Sequence, residues 1–191
     1  MSDIFTYNTE EIAKKPNAPI RQIPLFKLVP DNHPILRKTL EPFDFINRPV
    51  NPNEFASSLV ETCKDHKGLG LSANQCGFPY RVFVMGAEDN YVAFFNPVIE
   101  WASDEQVQMS EGCLSFPFLV LNITRPKSIK VSYYDFVGQQ RDVTLEGLSA
   151  RVFQHELDHL NGIVYTDVCK PVALQMATKK QNKLMKRIGL K

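Results

Sequence analysis

The sequence predicts an α+β fold: mostly antiparallel sheets packed around a central metal-binding HExxH helix, with a further helix at the C-terminus. Three observations lead there. Strand-like and helix-like segments follow one another without the regular alternation of a doubly wound sheet. Residues 127–145 read as strand, turn and returning strand, the pattern of an antiparallel pair. Leu148, Val152 and Leu160 recur at helical spacing around His155-Glu156-Leu157-Asp158-His159.

The chain has 191 residues, one domain at roughly 150 residues per domain. Apolar residues make up 43% and charged residues 23%, a globular composition that opposes wholesale disorder. Lys plus Arg is 22 and Asp plus Glu is 21, a net charge of +1, which excludes a protein that coats nucleic acid by charge alone. No apolar run approaches the ~20 residues of a bilayer span. The first residues have no basic-then-apolar leader and carry Asp3, Glu10 and Glu11, so a cytoplasmic protein without membrane contact is expected. Cys63, Cys76, Cys113 and Cys169 are scattered without a CxxC pair, against a disulfide framework or an all-cysteine zinc site. Each is by default a small buried hydrophobe.

The elements follow in order. Residues 1–22 are polar, contain Pro16 and Pro19, and read as a flexible arm. Residues 23–170 form the main body. Its first part, 23–50, is apolar but broken by five prolines, and should wrap as loops and short strands. Asn51-Pro52-Asn53-Glu54 is a helix start: a capping residue, proline at the first helical position and a glutamate three residues after the cap. Phe55, Leu59 and Cys63 continue the helix to Lys67-Gly68. After the glycine segment Gly68–Gly77, Arg81–Met85 and Tyr91–Phe95 are strand-like. The antiparallel pair follows, then the helix Leu148–Leu160, stopped by Gly162. Residues 171–191 belong to the same domain as a basic C-terminal helix, spanning 172–188.

The HExxH stretch carries the chemistry. Residues four apart on a helix share a face, so both imidazoles can reach one ion with Glu156 beside them. Without a metal the same pattern would be an exposed charged face, but Val152 and Leu160 place this helix partly in the core. A catalytic site of this kind needs a third protein ligand. A metzincin-like protease would place a histidine where Tyr165 stands, and Asp167 is a poor substitute. No glutamate follows the helix, so a thermolysin-like third ligand is excluded. That directs attention upstream, to a loop-like stretch, Glu111-Gly112-Cys113-Leu114-Ser115, ending at Pro117. A thiolate suits zinc or ferrous iron. Cys63 within a helix and Cys169 beside Pro171 sit in less suitable settings.

Three motifs in order resemble the peptide deformylase family. Gly68-Leu69-Gly70-Leu71-Ser72-Ala73-Asn74-Gln75 matches GxGxAAxQ except at Ser72. Glu111–Ser115 is identical to EGCLS. Gln154–Leu160 matches QHExDHL. The first alone also fits a relaxed dinucleotide fingerprint, but it follows a helix and precedes a strand, the reverse of what that motif requires. Ser72 needs a hydrogen-bond partner if buried. Neither it nor the long N-terminal arm is expected to touch a metal ligand or Glu156.

The resemblance implies a hydrolase that removes the N-formyl group from the formylmethionine of newly made polypeptides. Cys113, His155 and His159 would hold one divalent metal with a water in the fourth position, Fe2+ in the cell, with Zn2+ or Ni2+ as alternatives. Glu156 would take the water's proton and deliver it to the leaving amine. The Gln75 amide and the Leu114 backbone N–H would stabilise the oxyanion, at about 3 kcal/mol for such a donor. The peptide would lie as an added strand against Leu69, Gly70 and Gly112, with Gly70 allowing close backbone approach. Leu148 and Val152 would line an apolar methionine pocket or, alternatively, plain core, with the stem of Arg151 at the rim. Asp158 and the Arg125-Pro126 pair are given structural roles. The cationic tail of Lys179, Lys180, Lys183, Lys186, Arg187 and Lys191 suggests ribosome contact or, equally, a solvated face. A monomer is expected. The rivals are an HExxH zinc endopeptidase and a non-enzymatic ribosome-associated protein with a structural metal.

Overall fold

A computed structural model describes residues 23–189. The proposed arm at 1–22 lies outside the described residues. Strand β1 (Gly70–Ser72), β2 (Val82–Ala87), β3 (Asn90–Ala102), β6 (Ser128–Tyr134) and β7 (Gln140–Glu146) form one antiparallel sheet in the order β1-β2-β3-β6-β7. Strands β4 (Gln106–Cys113) and β5 (Phe116–Pro126) form a separate antiparallel hairpin. The α+β class with antiparallel sheets is therefore observed.

Helix α1 (Pro52–Asp65) begins as its sequence dictates: the Asn51 side chain accepts from the N–H groups of Asn53 at 3.0 Å and Glu54 at 3.2 Å. Phe55, Leu59 and Cys63 pack on Val82, Val84 and Phe95. The opposite face of the sheet, with Phe83, Phe94, Val131 and Leu145, packs on helix α2 (Gly147–Leu160) through Phe153 and Leu157. Strand β2 is thus covered on both faces, which is why it reads as a continuous apolar run rather than an alternating one. Helix α2 also touches β1 and β5, so it contacts strands of both sheets. It ends where Gly162 takes a φ of +72°, and a Cβ there would come within 2.8 Å of the Arg37 backbone.

Some boundaries differ from expectation. Residues 23–50 contain no strand among the described residues, only a 3-10 turn at Pro34–Arg37 and an isolated Thr39–Asn161 bridge. Strand β3 continues seven residues past Phe95 because Asn96, at φ +51°, forms an irregularity that interrupts the side-chain alternation. The Asn96 side chain pairs with the backbone of Phe43, accepting at 2.6 Å and donating at 3.0 Å. The stretch 111–117 is not a loop. Glu111 and Cys113 end β4, and Pro117 lies near the start of β5, where a missing N–H is tolerated. Helix α3 (Pro171–Arg187) lies within a residue of the expected span.

Phe153 is fully buried, edge-on to Phe83 at 5.1 Å and Phe94 at 5.3 Å. Phe153→Ala should lower the unfolding free energy by about 3–5 kcal/mol in urea titrations. A change below about 1 kcal/mol would mean that α2 does not anchor the sheet.

Candidate metal centre

The helical spacing of α2 puts His155 and His159 on one face, ring centroids 5.1 Å apart. The end of β4 brings Cys113 to them, with Sγ 3.2 Å from His159 Nε2. Ligand atoms of the three residues lie within 4.8 Å of one another, the one such cluster found among the described residues. This spacing accommodates a single ion with ligands at ~2.0–2.3 Å. His155 Nδ1 meets Glu111 Oε2 at 2.9 Å, which leaves Nε2 as the nitrogen available to an ion. One soft sulfur and two imidazoles suit a transition metal, so the residues present fit the group that the motifs imply.

Glu111 is the hub. Besides His155, its buried carboxylate accepts from Arg125 Nε at 2.7 Å and Nη2 at 3.0 Å, and from Arg151 Nη1 at 2.8 Å. Burial alone would raise its pKa, but His155 and the two arginines outweigh burial and hold it well below the usual carboxylate range. Arg125 reaches on to Asp158 at 2.6 Å. For His155, burial pulls downward, but hydrogen bonds to Cys113 and Glu111 raise it to about 10. Burial drives His159 the other way, well below the ordinary histidine value, and keeps it neutral.

Arg151 extends an expectation. It lines the cleft, but its guanidinium is committed elsewhere. It is buried and donates to Glu111, to the Ile123 carbonyl at 2.9 Å and to the Val107 carbonyl, tying α2 to both strands of the hairpin.

Ser72 corrects another. Its hydroxyl is fully buried and donates to Glu156, at 2.6 Å from Oε2, so the departure from the motif touches this carboxylate directly. A Cβ on Gly70 would lie 2.5 Å from Glu156 Oε1. The close approach that requires glycine there is therefore made by Glu156. Burial raises the Glu156 pKa, partly offset by His155 and by the Ser72 hydrogen bond. Gln75 accepts from the Ser72 N–H at 2.9 Å and donates from Nε2 to Ser115 Oγ at 3.1 Å and Cys113 Sγ at 3.4 Å. Its NH2 group is thereby turned toward the three-residue cluster.

A cleft of about 530 Å³ opens over these groups, lined among others by Leu69, Gly70, Gly112, Leu114, Leu148 and Val152. Leu148 is 54% exposed, so it is not plain core. Among the described residues, strand β1 is an outer strand of its sheet and β4 has β5 as its one partner, so both offer an unpaired edge there. The sequence reading assigned no role to Glu111, Asn74 or Tyr165. Asn74 donates to the His159 carbonyl at 2.6 Å, and the Tyr165 ring lies 5.5 Å from that of His155. The need of a metal-facing histidine for an acceptor at its second nitrogen was the signal that could have found Glu111.

An antiparallel α+β body with a Cys/His/His cluster beside a buried glutamate defines a metal-binding enzyme class rather than a structural zinc module. Residues 25–175 match the family model described as polypeptide deformylase. The peptide deformylase of Rhizobium meliloti is 35% identical over 169 residues, covering 86% of this chain and 95% of the relative. That of Thermotoga maritima is 40% identical over 147 residues, 77% of this chain and 88% of the relative. Among solved structures, the Thermotoga maritima peptide deformylase superposes with a TM-score of 0.70 at 38% identity, covering 77% of this chain and 99% of that one. A Synechococcus elongatus peptide deformylase in complex with actinonin gives a TM-score of 0.77 at 28% identity, covering 95% and 94%. This chain belongs to the peptide deformylase family.

Two outcomes test the site's construction. Ser72→Ala should destabilise the fold by about 1–3 kcal/mol in urea, because it removes a donor from a buried carboxylate. Wild-type stability in that variant would mean the hydrogen bond does not form. Burial pushes the Cys63 and Cys76 thiols up to about 12. At pH 8 both should stay unreactive to a thiol reagent in the native protein and titrate only after denaturation, since the thiolate is the reactive form. Rapid native modification would contradict their burial.

Proposed function

We propose that this protein removes the N-formyl group from the formylmethionine of newly made polypeptides and releases formate. The observation that carries this reading is Glu156. It is buried and oriented by Ser72, and it lines one cleft with Cys113 and His155, two members of the Cys113, His155 and His159 cluster. Family membership supplies the reaction class. Three of its side chains are the metal ligands, and α2 is the central helix that presents two of them. When bound, a divalent ion here lowers the pKa of a water toward neutrality and polarises a carbonyl. Iron is our expectation in the cell, with zinc or nickel as substitutes.

The chain's own residues do the rest. Glu156 accepts a proton from the attacking water and returns it to the amine nitrogen as the amide C–N bond breaks. Its raised pKa helps it to hold that proton between the two steps. Gln75 Nε2, fixed by its bond to the Ser72 N–H, donates toward the oxygen on which negative charge develops, and the Leu114 N–H is the second donor. The edges at Leu69–Gly70 and Gly112 receive the peptide backbone, and Leu148 and Val152 receive the methionine side chain. Asp158, through Arg125, holds the Glu111 hub in place. We further propose a cytoplasmic monomer. Helix α3, with its cationic face, is then available for ribosome contact.

An endopeptidase of the HExxH type gains no support from the relatives. A purely structural metal would leave the buried Glu156 without a purpose.

The test is formate release from formyl-Met-Ala by protein purified without oxygen, with bound iron and zinc quantified. Turnover is expected, and Glu156→Ala should lower kcat at least about 10²-fold while keeping its metal. A fully metallated wild type that releases no formate would overturn the reading.

A further inference from the structure

A second groove, of about 830 Å³, runs between β5 and α3. Phe118, Val120, Met176 and Leu184 give it an apolar floor, and Lys180, Lys183 and Arg187 stand along its helical side. None of its described lining residues is acidic, and α3 contains no Asp or Glu. Helix α3 rests on β5 without burying any residue fully. Phe118 is 47% exposed, Val120 58% and Met176 68%. Clustered apolar exposure of this kind marks an interaction surface. Ser110, Phe118 and Val120 line both this groove and the cleft over Glu156, so the two are one continuous surface.

We propose that this groove receives the part of the substrate peptide beyond its third residue and favours acidic segments with apolar neighbours. The proposal rests on the deformylase reading above and extends it to substrate choice. A peptide laid along β4 has its formylated end beside Cys113, so the rest of it runs back along the strand. Ser110 lies three residues before Cys113, about 10 Å at ~3.3 Å per residue. An extended peptide covers that distance in three residues, and its fourth arrives where Ser110, Phe118 and Val120 join the cleft to the groove. Beyond that point the apolar floor can take apolar side chains and the three cations can pair with carboxylates. A nucleic-acid backbone would use the cations but leave the floor unfilled, so a peptide fits the whole surface better.

The test compares two formyl-Met octapeptides that differ only in carrying Asp and Glu, or Lys, at positions four to six, with formyl-Met-Ala alongside. We expect kcat/KM to favour the acidic peptide by about tenfold at low salt, since charge complementarity acts through encounter and binding. The ratio should shrink below about threefold in about 0.5 M NaCl, where exposed charges are screened. It should invert in the Lys180→Glu, Lys183→Glu double variant. Each ratio is taken within one enzyme preparation, so partial misfolding cancels. A wild-type ratio near one, with formyl-Met-Ala still deformylated, overturns the groove and leaves the activity standing. The same ratio together with ribosome co-sedimentation lost in the double variant assigns the surface to RNA. A ratio near one with concentration-dependent dimerisation assigns it to a second copy. Failure to deformylate formyl-Met-Ala overturns both readings.

Discussion

A carboxylate held between two guanidinium groups and an imidazole fixes the geometry on which everything else depends. Glu111 sits at the end of β4. Its partners come from β5 through Arg125 and from α2 through Arg151 and His155. These are the three elements whose relative placement decides whether Cys113 meets the two histidines. A charge this deeply buried is tolerable only with its partners in place, and removing one from such a group typically costs about 3–5 kcal/mol. The hub is therefore intolerant of alternative packings of the hairpin against the helix. It also sets the tautomer of His155, which a metal site requires of its imidazoles.

Around this anchor the two sheets serve different ends. The five-stranded sheet, packed on both faces, supplies rigidity and delivers β1 with Gly70, Ser72 and the Gln75 turn to one wall of the cleft. The hairpin supplies the other wall and the sulfur. Glu156 stands between them with one carboxylate oxygen tied to Ser72 and the other against the bare backbone of Gly70. A side chain at position 70 would displace that oxygen. A serine rather than an alanine at position 72 adds a hydrogen bond to Glu156 that the common motif cannot make. On the proposed reading, the edges of β1 and β4 are where an extended chain would pair.

Much of this was legible in the residues. The Asn51 cap, the helical spacing of α1 and α2 and the 128–146 pair rest on local rules, and the structure follows them. The histidine pair followed from a spacing of four on a helix. The hairpin was not legible, because Glu111-Gly112-Cys113 and Pro117 have the composition of a loop. Its strand character comes from pairing with residues 116–126, which is a long-range fact. Strand β3 was read too short because Asn96 breaks the alternation. The partners of Arg151 and Ser72 were not legible for one reason: the partner of a polar side chain is set by tertiary packing. Glu111, the partner of Arg151, lies 40 residues away in sequence and 2.8 Å away in space.

The most direct measurement on this arrangement is the affinity of the purified protein for Zn2+, by competition with a chelator, in wild type and Glu111→Gln. Circular dichroism would establish that the variant keeps its fold. If Glu111 orients His155 for the cluster, the folded variant should bind zinc about 10–100-fold more weakly. Unchanged affinity in a folded variant would contradict the role given to the hub, and would mean that Cys113, His155 and His159 are held in place by packing alone.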